Sequence, residues 1–133
     1  AILLFILAGG SIGFYSGDPR RILEDDLPYL RPTFWPSVPR LVNELYAQVK
    51  AQIDTAEGEW GKLMRKGLQE KLENIKKDGS YLHNIYDPLV FSTIKAQAGG
   101  RLRMLMSGAA PTAKDVQELL KVTFCCSYPE AYG

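Results

Sequence analysis

The stretch that most constrains the fold is Arg101 to Pro111, Arg-Leu-Arg-Met-Leu-Met-Ser-Gly-Ala-Ala-Pro. A half-apolar, alternating run stops at a turn of small residues, and a helical pattern follows from Pro111. Alternation is the period of a strand. A strand that feeds a small-residue turn and then a helix is a common way to bring backbone N–H groups close to a ligand. Read by itself, the simpler account is a tight strand-to-helix connection. Leu102, Met104 and Met106 share one face of the run; Arg101, Arg103, Leu105 and Ser107 share the other. Leu105 breaks the alternation, which predicts a strand buried on both sides over its second half.

Similar units flank it. Ala1 to Ala8 is a buried apolar segment, and Ser11 to Ser16 a short strand weakened by Gly13. Asp18 suits a helix N-cap and Pro19 the first helical position, with Ile22, Leu23, Leu27 and Leu30 as the apolar stripe; Pro28 disturbs the later turns. Thr33 to Ser37 is a second short strand, in which Pro36 implies a strand end or an edge. Pro39 opens a strongly amphipathic helix in which Leu41, Leu45, Val49 and Ile53 recur, flanked by Val42 and Tyr46. Strand, helix, strand, helix predicts an α/β fold with a parallel sheet.

From Asp54 to Ser80 the composition shifts to Lys, Glu and Gly. Trp60, Leu63, Met64, Leu68, Leu72 and Ile75 keep helical spacing between Lys62, Arg65, Lys66, Lys71, Lys76 and Lys77. Glu57, Glu59, Glu70 and Glu73 dilute the positive charge, so a solvated face over a narrow core stripe is preferred to a membrane-surface helix. A second helical stretch gathers around Leu89, Val90, Phe91, Ile94 and Ala98, and Gly99-Gly100 stops it. After Pro111, Thr112 and Asp115 suit a capping box, and Val116, Leu119, Leu120 and Thr123 or Phe124 suit the inner face. Cys125 to Tyr128 is a further short strand.

The totals set limits. The chain of 133 residues suits about one domain, and 46% hydrophobic with 23% charged residues predicts a packed core. A net charge of +1 gives no electrostatic case for nucleic acid. Cys125 and Cys126 are adjacent, which is neither a zinc spacing nor a disulfide framework, and points to a reducing, intracellular compartment. The single histidine, His83, leaves little for a His-based catalytic array and is expected at the surface. The apolar start and the Glu130-Ala131-Tyr132-Gly133 end predict an internal segment of a larger protein, with poor stability when isolated.

Read together, Ile12-Gly13-Phe14-Tyr15-Ser16-Gly17-Asp18, Leu30-Arg31-Pro32-Thr33, Pro36-Ser37-Val38-Pro39-Arg40-Leu41, Gly99-Gly100-Arg101-Leu102-Arg103, Ser107-Gly108-Ala109-Ala110-Pro111, Phe124-Cys125-Cys126 and Glu130-Ala131-Tyr132-Gly133 form an ordered series. In this order it resembles the long-chain fatty acyl-CoA synthetases of the AMP-forming adenylating superfamily. The Gly-Phe-Tyr-Ser-Gly-Asp block and the long stretch before Gly99 separate it from luciferase-like and coumarate-type ligases.

The resemblance implies that residues 1–133 are an incomplete segment of the AMP-binding domain, part of a parallel-sheet αβα subdomain, with a variable helical insertion over about 54–98. It implies a two-step ligase. A fatty acid carboxylate attacks the α-phosphate of ATP to give an acyl-adenylate and pyrophosphate, and the thiol of coenzyme A then displaces AMP. ATP, Mg2+ and coenzyme A are the implied cofactors, and a long-chain fatty acid the substrate. It places the enzyme in the cytoplasm or at the cytosolic face of an organelle membrane, with room for peripheral membrane association of the parent. Carried over residue by residue, Gly108, Ala109 and Ala110 wall the adenylate pocket, Tyr132 stacks on adenine beside Gly133, and Ser107 and Pro111 support the turn. Ser37-Val38-Pro39-Arg40 is a family signature assigned mainly to structure, with a wall of the acyl tunnel as its alternative role. No main catalytic group and no metal ligand falls within the segment, so the 133 residues alone are expected to be inactive. The alternative is a truncated, non-catalytic protein that binds a membrane surface or partner through the helix over 60–77.

Overall fold

A computed structural model describes residues 7–13, 21–107 and 113–129. The expected helix start at Asp18-Pro19, most of the first apolar segment and the turn after Ser107 lie outside them. Residues 11–13 are described and are not in a strand.

The first helical unit is irregular. A π-helical turn, Ile22–Asp26, runs into a single α turn, α1, Leu27–Leu30. Pro28 has no N–H to give and clashes with a regular ladder, which accounts for the uneven winding expected there. Leu27 is buried, whereas Leu30 at the end of the stripe is exposed. The turn closes on Arg31 in a left-handed conformation, φ 52°, its N–H donating to Leu27 O at 2.9 Å.

Strand β1, Phe34–Ser37, pairs in parallel with β2, Met104–Ser107, in the register Phe34↔Met104, Trp35↔Leu105, Pro36↔Met106, Ser37↔Ser107. On the far side of β2 the chain after the last helix adds a parallel bridge, Met104↔Ser127. Leu105 N donates to Ser127 O at 2.9 Å, and Ser127 N to Arg103 O at 3.0 Å. The expected strand over 125–128 is therefore present as a single-bridge neighbour. The deep face of β2 carries Leu105 and Ser107, while Met104 and Met106 are half-buried. The sequence put the methionines on a face with Leu102, but the strand begins only at Met104 and the helices cover the other face.

Helix α2, Pro39–Thr55, buries Val42, Leu45, Val49 and Ile53. Leu41 slips to the flank because a strict four-residue spacing drifts around a helix of 3.6 residues per turn. Helix α3, Gly58–Asp78, holds a larger surprise. Its buried line is Gly61, Met64, Gly67 and Lys71, while Leu63, Leu68, Leu72 and Ile75 are half-buried and Trp60 is 43% exposed. The glycines let this line pack closest. A Cβ on Gly61 would lie 2.1 Å from Ala56 O, and one on Gly67 would lie 2.8 Å from the Tyr86 ring. At the same corner the Arg65 guanidinium donates to Ile53 O at 3.1 Å and Ala56 O at 2.9 Å, satisfying carbonyls at the end of α2.

The expected second helical stretch is a composite. A π turn, Asp87–Phe91, leads into α4, Ser92–Lys95, and a 3-10 turn, Ala96–Ala98. Val90, Phe91, Ile94 and Ala98 enter the core, and Gly99 (φ 93°) and Gly100 (φ 81°) end it. Gly99 also lies against Arg31, whose Cα would stand 2.5 Å from an added Cβ. Helix α5, Lys114–Phe124, buries Val116, Leu119, Leu120, Val122, Thr123 and Phe124, so both inner-face candidates are used. Its N-cap position falls on Ala113 rather than Thr112, with no side-chain cap bond; the Lys114–Glu118 pair forms at 3.8 Å. Helices α2, α3 and α5 pack on one another, and one continuous core joins them to Leu102 and Leu105 of the sheet region.

Candidate functional site

Parallel strands have a common ligand end. In open parallel sheets, ligands sit outside the carboxyl ends of the strands. Here β1 ends at Ser37, β2 ends at Ser107, and the 126–128 segment runs beside β2 in the same direction. The described chain therefore brings together the residues that lead into Gly108 and those that lead toward Tyr132. Of the expected site residues, Ser107 alone is described; Gly108, Ala109, Ala110, Pro111, Tyr132 and Gly133 lie outside the described residues.

Two hydroxyls mark that end. Ser37 and Ser107 are register partners at the last position of their strands. Both Oγ atoms are buried, and neither has a hydrogen-bond partner. Ser107 as a whole is 2% exposed. By side-chain alternation, Ser37 shares its face with Trp35, which packs against the core, and Ser107 shares its face with Leu105. Buried polar groups without partners are uncommon. No local pattern signals this pair, because it depends on the register of strands far apart in the chain.

A second polar cluster lies between α3 and α5 and is satisfied. Lys71, 1% exposed, forms an ion pair with Asp87, donates to Val122 O at 2.5 Å and lies 3.5 Å from Cys125 Sγ. Its ammonium also sits 4.7 Å from the centre of the Phe91 ring. Asp87 accepts a further bond from His83 N at 2.8 Å. His83 is half-buried rather than a surface residue. Its Nδ1 accepts from Ile85 N at 3.1 Å and Tyr86 N at 3.2 Å, so Nε2 carries the proton and donates to Glu70 at 3.1 Å. Burial pushes the Cys125 thiol up from its ordinary value, with the Lys71 charge opposing it. The Lys71 ammonium is fully engaged, so this cluster acts as a clasp between helices.

An open groove of about 320 Å³ at the α2–α3 corner is floored by Ile53, Leu68 and Leu72; no strand-end residue lines it. Among the described residues no group of three His, Cys, Asp or Glu side chains is placed to hold a metal ion.

The profile of the AMP-binding enzyme family matches residues 1–133. The chain belongs to the AMP-binding enzyme family. It is 38% identical over 125 residues to long-chain-fatty-acid–CoA ligase 6 of Rattus norvegicus, covering 94% of this chain and 18% of the relative. It is 40% identical over 131 residues to long chain acyl-CoA synthetase 6, peroxisomal, of Arabidopsis thaliana, covering 98% of this chain and 18% of the relative. It is 36% identical over 125 residues to long-chain-fatty-acid–CoA ligase 6 of Homo sapiens, again 94% and 18%. The chain thus spans 18% of the length of these relatives. No solved structure matches it. The small parallel sheet and its packed helices are an α/β arrangement of the kind the resemblance implies.

Proposed function

We propose that the chain forms part of an ATP-dependent long-chain fatty acid–CoA ligase and contributes one wall of its adenylate pocket. The observation that carries this reading is the match of the AMP-binding family over residues 1–133. The common direction of β1, β2 and the 126–128 segment supports it. In this reading Gly108, Ala109 and Ala110 line the nucleotide with backbone and small side chains, Ser107 and Pro111 support the turn, and Tyr132 offers an aromatic face to adenine beside Gly133. A small-residue wall works by close approach. Any larger side chain at 109 or 110 would take space from the nucleotide.

The whole enzyme would join a fatty acid to coenzyme A in two steps. The carboxylate attacks the α-phosphate of ATP, with pyrophosphate leaving; the coenzyme A thiol then attacks the acyl carbon, with AMP leaving. Magnesium, held outside the described residues, would offset phosphate charge. The part played by this chain is positioning: it holds the nucleotide so that the carboxylate and α-phosphate meet in line. Residues 1–133 are then an incomplete segment of the adenylation domain, with 54–98 as its variable part. The enzyme would act inside the cell, in the cytoplasm or on the cytosolic face of an organelle membrane. Among the described residues no helix is long and apolar enough to cross a membrane. The surface-binding alternative relies on α3, whose line through Gly61, Met64, Gly67 and Lys71 is buried in the core.

The test is fatty-acid-dependent exchange of pyrophosphate into ATP by the full-length protein that contains this chain. We expect exchange with long-chain fatty acids and none with the isolated 133 residues. A full-length protein that activates only aromatic acids, or none, would overturn the assignment, and acyl-CoA made by the isolated chain would overturn the placement of the catalytic groups outside it.

A further inference from the structure

We propose that Ser37 and Ser107 are a pair of positioning residues whose hydroxyls take up hydrogen bonds when nucleotide binds at the carboxyl ends of β1 and β2; the proposal rests on the adenylation reading above. The pair consists of two hydroxyls on one face, at directly opposed positions, at the carboxyl ends of two parallel strands. Both oxygens are buried and lack partners.

The contrast with other hydroxyls in the chain is what points to a ligand. Thr55 donates to Ala51 O at 2.6 Å, Ser92 to Pro88 O at 2.9 Å, Thr93 to Val90 O at 2.7 Å and the buried Thr123 to Leu119 O at 2.7 Å. Even Ser127, on the strand segment next to β2, donates to Arg103 O at 3.3 Å. The two orphaned buried side-chain oxygens among the described residues thus occur together, and at the end of the sheet where a ligand binds. A serine kept only for packing at such a position is better replaced by alanine, because an unmet buried hydroxyl costs stability. A hydroxyl whose bonds form only in the nucleotide-bound state carries that cost in the free protein and recovers it on binding.

Ser107 is covalently next to Gly108, and Ser37 stands opposite Ser107 at the end of β1. This gives the Ser-Val-Pro-Arg stretch a part in nucleotide binding, beyond that of opening α2. Two neutral hydroxyls suit a polar, oxygen-bearing ligand or the backbone that wraps it, and they require no change of charge.

The experiment compares Ser37→Ala, Ser107→Ala and the double variant in the full-length protein, reading KM for ATP, kcat and thermal unfolding together. Each single variant should raise KM for ATP by about five-fold, the worth of one net hydrogen bond, with kcat changed less and the unfolding temperature unchanged or higher. Ser37→Thr, which keeps the hydroxyl, should restore KM. An active enzyme whose KM is unmoved by Ser37→Ala would overturn the pairing. A loss of kcat and KM function together with a lowered unfolding temperature would assign both serines to structure and overturn it equally. A full-length protein without fatty-acid-dependent exchange would overturn the adenylation reading itself, and the pair's role with it.

Discussion

Replacing Lys71 by Met removes the charge at the centre of the α3–α5 clasp and nearly conserves the apolar stem. Three consequences follow from the geometry. Asp87 loses its counter-ion, Val122 O loses the donor at 2.5 Å, and the Phe91 ring loses the ammonium above it. Breaking a buried pair by removing one partner costs about 3–5 kcal/mol, because the remaining charge is left uncompensated. Asp87 is 18% exposed and keeps the His83 N–H, so it can draw some water, and the lower end of that range applies. The methionine fills most of the lysine stem's volume, which keeps the cavity term small. The expected loss is about 3 kcal/mol, a large share of the roughly 5–15 kcal/mol that holds a domain folded.

Urea unfolding followed by far-UV circular dichroism reads this directly. With a slope of about 2 kcal/mol per molar urea, the midpoint should fall by about 1.5 M. The cycle is completed by Asp87→Asn and the double variant. Asp87→Asn alone should cost more than Lys71→Met, because it strands an ammonium at 1% exposure rather than a carboxylate at 18%. The double variant should be more stable than Asp87→Asn alone, since no unpaired charge remains. A Lys71→Met variant as stable as the parent, or strictly additive costs in the cycle, would refute the clasp.

The remaining predictions concern a glycine and a thiol. Gly61→Ala should destabilise by about 2 kcal/mol, although alanine is normally favoured over glycine in a helix by about 1 kcal/mol. The reason is that the new methyl would lie 2.1 Å from Ala56 O, a backbone atom that cannot rotate away; a raised unfolding temperature would refute it. Cys126, pushed by burial from 9.0 to about 12, ionises later in the folded than in the unfolded chain. The folded state therefore binds the extra proton between those values, and its contribution is complete below about pH 9 and lost as pH rises toward 12. Stability measured from pH 9 to 11 should fall less steeply in Cys126→Ala, by about 1 kcal/mol per pH unit; parallel slopes would refute it.

What could be read from the chain divides by the range of the forces involved. Helices α2 and α5 were legible because their apolar periodicity is local and strong, and the β2 stretch because alternation and a small-residue turn adjoin each other. The face of α3 was not. Hydropathy points to Trp60, Leu63, Leu68 and Leu72, yet the tightest contacts of α3 are made where there is no side chain, Gly61 against Ala56 O and Gly67 against the Tyr86 ring. Lys71 is charged and so reads as solvent-facing, but partners 16, 51 and 54 residues away keep it in the core. The orphaned serines were equally hidden, since serine carries no periodicity and only the register of β1 on β2 sets them face to face.

These two buried polar groups separate stability from function within one core. At Lys71 the ammonium is met by other parts of the same chain, so the cluster holds α3 to α5 whatever else is bound. At Ser37 and Ser107 the hydroxyls are left open, and they lie at the carboxyl ends of parallel strands rather than between helices. A closed network repays its burial within the fold. An open one can be repaid by a ligand, which is the role proposed above for this pair at the ends of β1 and β2. Substitutions at Lys71 should therefore move unfolding without moving KM for ATP, and substitutions at Ser37 and Ser107 should do the reverse.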